Sequence, residues 1–391
     1  KPAEVEAIEA FLLSQAEFRH NVITHHCEIR WTEEAGFLPL TDRDVNTLWG
    51  RMNKTVGRVY LTDIYNVIHS EFVPLFNPFQ SYFDHLPSWD GVSDPIGDLA
   101  DTVHVKSDQA EFRDYFRKWF VGILPALLDD TVVNHEILVL IGEQGLYKTT
   151  WFNFLLPPEL RCYFYTKTNS DRLNKDDLFS LTEFALICFE ELDGMRPAEL
   201  NQLKAMVTMP YVNERAAYGR NKERHPHIAS FCGTGNNVQF LTDPTGNRRW
   251  LPFEVSQIRD PHLHAIPYEL VYSQAYALWK SGFCHWFSQE EIRVLNMHNS
   301  RFEVPNLEED LIRTHFRKPF EGEAGIFVTA ADILEQISSC LRYPLSPNKI
   351  GRIMAGLEFE SIRHRGKRGY IAVKKTGEDI DRERRSGALG L

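Results

Sequence analysis

The stretch EILVLIGEQGLYKTTWFNFLL, Glu136–Leu156, decides how the rest of the chain is read. Ile137–Ile141 is a short, unbroken apolar run of the kind a strand buried on both faces of a parallel sheet requires. A glycine-containing turn follows, and KTTWFNFLL then reads as a helix. A loop between a buried strand and a helix N-terminus turns backbone N–H groups toward an anion, which makes GEQGLYKTT a candidate phosphate-binding loop. In that role Lys148 reaches the β- and γ-phosphates of a nucleotide and the Thr149 hydroxyl ligates Mg²⁺. Gly142, Gly145 and Thr150 complete the loop. Tyr147 stands where glycine is usual, so its side chain must point away from the phosphates or restrict how they lie.

Two more apolar runs follow at intervals of about forty residues, FALICFEE and HIASFCGTGNN, with helical stretches such as Pro197–Val207 between them. Strands alternating with helices at that spacing predict an α/β fold with a parallel-sheet core. Glu190 and Glu191 end the first of these runs. Nucleotide hydrolysis needs one acid to hold Mg²⁺ through its water shell and a second to polarise the attacking water, and the pair suits those two roles in that order. Alone they read as exposed acids closing a strand; the loop upstream tips the reading toward function. Asn236, at the end of the next run, is placed to orient the lytic water, or else forms an Asn-Asn turn. Arg248 and Arg249 precede a further strand in TGNRRWLPFEV. An arginine there either reaches a neighbouring subunit's γ-phosphate or belongs to a surface salt-bridge network, and the sequence leaves both open.

GEQGLYKTT, CFEELD, GTGNN and DPTGNRRW, supported upstream by FNPFQSYFDHLPSWDG, together resemble the virulence-associated E family of P-loop ATPases, relatives of the superfamily 3 helicases of viruses, phages and plasmids. The resemblance spans roughly residues 70–260. It implies an AAA+-like ATPase with Walker A at Gly142, Gly145, Lys148 and Thr149, and Walker B at Glu190 and Glu191. It further implies a sensor at Asn236 and an arginine finger at Arg248 or Arg249. Walker B ends in Glu-Glu where Asp-Glu is usual, which still supplies both carboxylates. By the same resemblance the chain is a replicative motor of a mobile element or prophage that forms a ring, a homo-hexamer. A primase-type domain upstream is a further expectation, and the start at Lys1 suggests a piece of a longer protein.

Two basic stretches point to DNA. PYVNERAAYGRNKERHPH carries Arg220, Lys222 and Arg224 interleaved with tyrosines, where the resemblance implies a hairpin gripping single-stranded DNA. Cations follow a phosphate backbone and aromatics stack on bases, although a solvated hairpin fits equally well. Near the C-terminus, Thr329 with Asp332 reads as a capping box and Ser346-Pro347 as a helix start. FESIRHRGKRGYIAV then reads as two strands around a basic turn, a winged-helix signature. Arg363, Arg365, Lys367 and Arg368 on that wing, with Lys349 and Arg352 on the preceding helix, are the candidate contacts to duplex phosphates and a major groove. Solvated cations on a protein-binding module are the alternative.

The rest of the chain bounds the reading. Its 391 residues, 43% hydrophobic and 25% charged, describe a globular protein of several domains. A net charge of −11 argues against a protein that coats nucleic acid indiscriminately. The longest apolar run, Trp119–Leu128, is broken by Gly122 and Pro125 and is too short to cross a bilayer. No secretory signal pattern is present, and no two of the six cysteines lie close enough for a zinc knuckle or redox pair, so a reducing cytoplasm is expected. His25-His26 and His225-x-His227 lack further zinc ligands, and Glu308-Glu309 reads as solvated surface. The expected organisation is a helical N-terminal domain over 1–130, an ATPase core over 131–258 and a helical connection over 259–322. A winged helix over 323–375 and a mobile tail over 376–391 complete it. The function expected is an ATP- and Mg²⁺-dependent DNA helicase or translocase. The alternative is a DNA-binding nucleotide switch or a structural assembly protein whose loop has decayed at Tyr147.

Overall fold

The computed structural model describes residues 4–168, 175–214, 223–242, 247–320, 322–338 and 346–385. The chain forms two compact units, Lys1–Glu303 and Val304–Leu391.

The first unit opens with helix α1 (Val5–Gln15), strands β1 (Ala16–Asn21), β2 (His26–Trp31) and β3 (Leu38–Pro39), helices α2 (Asp42–Thr55) and α3 (Leu61–Ile68), and strand β4 (Leu75–Phe76). The strands make one sheet in the order β3-β2-β1-β4. Helices make up most of the regular structure before residue 130, as expected, but the helical spacing read across Phe11, Leu12, Phe18 and Val22 is corrected. The helix stops at Gln15, and Phe18 lies in β1 opposite Ile29. Four apolar residues cannot separate a period of 3.6 from one of 2, and pairing with β2 decided it.

Helices α4 (Pro78–Asp84) and α5 (Pro95–Ala100) occupy the segment read as a loop-rich connection. Asn77-Pro78 and Asp94-Pro95 are each an N-cap followed by a first-turn proline, so the prolines start helices rather than break them. Strand β5 (Val103–Val105) and helix α6 (Gln109–Leu128) follow. Among the described residues no helix is long and apolar enough to cross a membrane.

The central sheet comprises β5, β6 (Ile137–Ile141), β7 (Phe164–Lys167), β8 (Leu186–Phe189), β11 (Ser230–Gly235) and β12 (Trp250–Ile258). Between β6 and β8 lie helices α7 (Lys148–Phe154) and α8 (Lys175–Glu183); α9 (Pro197–Val207) and the hairpin β9 (Tyr211–Glu214) and β10 (Glu223–Pro226) lie between β8 and β11. The order is β5-β12-β6-β11-β8-β7, parallel throughout except for the antiparallel edge strand β5. A mixed α/β fold with a parallel sheet is thus present. Each face carries its own core. Leu138 and Leu140 pack with Phe116 and Trp119 of α6, while Ile137, Val139 and Ile141 pack with Leu203 and Val207 of α9. Helices α10 (Tyr268–Lys280) and α11 (Gln289–Asn299) close the unit, α10 resting on α5 and α6.

The second unit runs α12 (Leu307–His315), β13 (Phe316–Arg317), β14 (Ile326–Val328), α13 (Ala330–Ser338), α14 (Pro347–Gly356), β15 (Ser361–His364), β16 (Lys367–Lys374) and α15 (Gly377–Arg385). Strand β16 pairs antiparallel with β13, β14 and β15. The Asp332 N–H donates to Thr329 Oγ1 at 3.2 Å and the Lys349 N–H to Ser346 Oγ at 3.3 Å, the two caps read from the sequence. Of the tail expected over 376–391, Gly377–Arg385 forms α15, begun by the Asp379 N–H donating to Thr376 Oγ1 at 3.3 Å, and residues 386–391 lie outside the described residues. Glu308, read as solvated, is buried and ion-paired with Lys349.

Helix α6 is tied to the sheet by more than apolar contact. Trp119 is fully buried and its Nε1–H donates to the Phe231 carbonyl at 2.9 Å, while Asn134 Nδ2 donates to the Trp119 carbonyl at 3.0 Å. Trp119→Ala is expected to cost about 3–5 kcal/mol through the cavity it leaves. Trp119→Phe keeps most of the ring and removes the bond to the Phe231 carbonyl, at about 0.5–1.5 kcal/mol. Urea unfolding of both variants checks the order; a Trp119→Phe variant as stable as the wild type would mean the hydrogen bond contributes nothing, and equal losses would mean the cavity adds nothing.

Candidate nucleotide site

Strand β6 delivers the chain to the carboxyl edge of the sheet, where Gly142–Tyr147 turns it into α7. The turn is pinned to the neighbouring strand by the Gly142 N–H, which donates to the Gly235 carbonyl at 3.1 Å. Tyr147 is the N-cap of α7 with φ 60°, in the left-handed region, which explains the usual preference for glycine here. Its ring is 42% exposed at the mouth of the cleft, so the substitution is accommodated in space and strained only in backbone.

Lys148 is buried, and its Nζ donates to the carbonyls of Gly142 at 2.6 Å and Glu143 at 2.7 Å, with Asn236 Oδ1 at 3.5 Å. Burial pushes its pKa below the ordinary lysine value, and the Asp193 carboxylate opposes that shift. Thr149 Oγ1 donates to Glu190 Oε1 at 2.7 Å. These two oxygens are hard donors of the type Mg²⁺ takes. Glu191 follows with φ 53°, a second non-glycine residue in the left-handed region, and its exposed side chain lines the same cleft. The cleft encloses about 360 Å³ between Gln144–Thr150, the two glutamates and Thr234–Asn236. Gly145, Lys148, Thr149, Thr150, Glu190, Glu191 and Asn236 are all on its walls, brought together from three strand ends. Gly142 stands just behind them, where a Cβ would meet the Val255 carbonyl at 2.9 Å. A larger cavity of about 760 Å³, lined by Arg19, Glu28, Phe37 and Tyr163 among others, contains none of these residues.

Asp193 was not singled out in the sequence. Its Oδ1 accepts from the Asn236 N–H at 3.1 Å, and its Oδ2 from the Asn237 N–H at 3.1 Å and from Asn237 Nδ2 at 2.7 Å. A lone acid two positions after Glu191 carries no signal of that partnership, which spans more than forty residues.

Arg248 and Arg249 lie in the 3-10 turn Asn247–Arg249, at the opposite end of the sheet. Trp250 pairs with Ile137, so the arginines sit five residues of β6 below the loop, about 16 Å at the rise of a parallel strand. Arg248 is exposed and Arg249 half-buried. Burial and the adjacent Arg248 charge lower the Arg249 pKa, while burial pushes the nearby half-buried Glu136 carboxyl up to about 7.

Of the basic candidates, Arg224 stacks its guanidinium 3.8 Å from the Tyr211 ring centre across the β9–β10 hairpin. Arg220 and Lys222 lie outside the described residues. In the second unit Arg352, Arg363, Arg365, Lys367 and Arg368 are exposed, whereas Lys349 is engaged by Glu308. Arg365 and Gly366 form the tip of the β15–β16 hairpin with φ 47° and 78°, a two-residue turn that matches the strand twist. Arg352 and Arg368 line one groove of about 480 Å³ between α14 and β16.

Tyr147→Gly relieves roughly 1 kcal/mol of left-handed strain and gives up about 0.5–1 kcal/mol in unfolded-chain entropy. The melting temperature is therefore expected to stay nearly unchanged, whereas β-branched Tyr147→Val lowers it. A clear rise for the glycine variant would mean the strain is larger than the dihedral implies.

The description "Virulence-associated protein E-like domain" matches residues 84–304, more than half of the chain. No curated protein matches the chain. Among solved structures, the apo C-terminal region (305–718) of NrS-1 is 11% identical, with a TM-score of 0.49 over 95% of this chain and 99% of that one. A protein of Cytophaga hutchinsonii provisionally assigned as an ATPase is 13% identical, with a TM-score of 0.26 over 73% of this chain and 88% of that one. Residues 84–304 hold the whole central sheet and every wall of the cleft, and the chain belongs to the virulence-associated protein E-like domain family.

Proposed function

We propose that this protein is an ATP-hydrolysing DNA motor, a helicase or translocase in the replication of a mobile element or prophage. The observation that carries the reading is the convergence of Lys148, Thr149, Glu190, Glu191 and Asn236 on one cleft at the carboxyl edge of a parallel sheet. That placement is where open α/β sheets bind ligands. The loop then acts as a P-loop, its N–H groups and the α7 N-terminus facing the phosphates. Lys148 exchanges the Gly142 and Glu143 carbonyls for β- and γ-phosphate oxygens. Thr149 and Glu190 are the residues to hold Mg²⁺, which supplies charge neutralisation at the phosphates. Glu191 takes a proton from the attacking water as that water's oxygen bonds the γ-phosphorus and the bond to the β-phosphate oxygen breaks, giving ADP and phosphate. Asn236 orients the water.

The distance of Arg248 and Arg249 from their own loop supports a role at a neighbour's γ-phosphate, in a ring of the hexameric kind. The order α12, β13, β14, α13, α14 and the β15–β16 hairpin in the second unit supports a winged helix whose wing and α14 contact DNA. Arg224 and the hairpin it belongs to are the proposed contact to single-stranded DNA within the ring.

Phosphate release with and without single-stranded DNA, with Lys148→Ala as the blank, tests the motor. Stimulated turnover absent from Lys148→Ala is expected. Glu191→Gln should retain binding and lose about 10²–10⁴-fold in rate, and Arg249→Ala should slow the assembled form alone. Tight ATP binding without turnover in the wild type would favour the nucleotide switch. Neutralising Lys367 and Arg368 together should weaken duplex binding and reduce the log–log salt slope by roughly 1 per cation. An unchanged slope would assign the wing to protein contacts.

A further inference from the structure

We infer that Asp193 is a positioning residue of the nucleotide site, holding the sensor Asn236 in register with the acidic pair; this rests on the hydrolytic reading above. The need for it arises from strand lengths. The ladder between β11 and β8 ends at Gly233–Phe189, whereas β11 continues to pair with β6 through Thr234 and Gly235. Strand β11 therefore runs past its neighbour, and the chain that carries Asn236 to the cleft has lost its ladder on that side. Asp193 supplies the missing contacts. Its two oxygens take the consecutive N–H groups of Asn236 and Asn237, one each at 3.1 Å, and Oδ2 also takes Asn237 Nδ2 at 2.7 Å. A carboxylate receiving several N–H bonds makes charge-assisted contacts stronger than neutral ones.

The turn that brings Asp193 there is the one that aims Glu191. Glu191 adopts φ 53°, and the Gly194 N–H closes the turn onto the Glu191 carbonyl at 2.8 Å. The turn then lies against β11 so closely that a Cβ at Gly233 would meet Leu192 Cδ1 at 2.2 Å and one at Gly235 would meet Asp193 Oδ1 at 3.0 Å. Both glycines of GTG are thus required by this approach, a role unrelated to phosphate. The consequence is mechanical. Glu191 and Asn236, the two groups proposed to act on the water, belong to different strands and are locked to one another through Asp193. The same carboxylate stabilises the charge on Lys148, whose Nζ is 3.5 Å from Asn236 Oδ1.

The chemistry of the lock demands an acid. In Asp193→Asn one oxygen becomes an NH₂ group, which confronts a backbone N–H donor with another donor in an otherwise unchanged shape. A misplacement of order 1 Å at a reacting group can cost about 100-fold in rate.

The test is single-turnover ATP hydrolysis and nucleotide affinity for the wild type, Asp193→Asn, Asp193→Ala, Asn236→Ala and the Asp193→Ala/Asn236→Ala double variant. Each single variant is expected to lose between about 10- and 100-fold in rate with nucleotide affinity nearly preserved. The double variant should be no slower than Asn236→Ala, because a residue acting through another adds nothing once that other is gone. Rates that multiply in the double variant, or a wild-type rate in Asp193→Asn, would overturn the assignment while leaving the hydrolytic reading intact. A loss of affinity matching the loss of rate would make Asp193 merely structural. A wild type that binds nucleotide but never hydrolyses it would sink the hydrolytic reading and this one with it.

Discussion

The central sheet and the cleft at its edge depend on the burial of one strand. All five residues of Ile137–Ile141 are inaccessible to solvent, and the strand is hydrogen-bonded on both edges, to Trp250–Glu254 and to Phe231–Gly235. A strand in that position can bury its backbone only if both neighbours pair with it along its full length. Its register is therefore shared by three segments far apart in sequence. The shared register places Gly235 beside Ile141, and so Asn236 beside the lysine that follows the turn. It also places Arg249 beneath the other end of the same strand. Proximity of Asn236 to Lys148 and remoteness of Arg249 are two results of a single alignment.

Where the strand ends, the chain accepts strain. Tyr147 and Glu191 are both non-glycine residues at positive φ, and they flank the cleft from two different strands. Such conformations persist where surrounding structure over-determines them, and they gather at functional sites. Here the over-determination is visible. The Tyr147 carbonyl accepts the Trp151 N–H at 2.7 Å to begin α7, and the Glu191 carbonyl accepts the Gly194 N–H to close its turn. Lys148 is held in a similar tension, a buried ammonium kept charged by carbonyl oxygens of its own loop and by the Asp193 carboxylate. A ligand with phosphate charge can relieve that arrangement, which is the property a binding loop needs.

Much of the central sheet was legible because its signals are local. Continuous apolar runs at Ile137, Leu186 and Ser230 are strands, and Pro197–Val207 is a helix with the boundaries its proline implied. The N-terminal segment was less legible. Phe11, Leu12, Phe18 and Val22 approximate helical spacing, yet the helix yields to a strand at Ala16 because β2 and β4 offer β1 partners on both edges. In the candidate site the glycine loop, the acids and Asn236 stand out by residue type and order. Asp193 does not, since its meaning lies wholly in two N–H groups more than forty residues away. Arg365 and Gly366 were readable as a turn, while Lys349, read as a free cation for DNA, is paired with Glu308 from a helix that no local pattern connects to it.

By itself the sequence determined which segments become strands and helices in the core, which side chains have the chemistry to hold a triphosphate, and where a basic hairpin occurs. Those properties follow from side-chain period, β-propensity and turn residues, which act over a few positions. Tertiary structure alone decided the strand order β5-β12-β6-β11-β8-β7, the overhang of β11 past β8 and the clamp of Asp193 on Asn236. It also separated Arg249 from its own loop by the length of β6. Pairing register couples residues with no proximity in sequence, and only burying both faces of one sheet at once selects it.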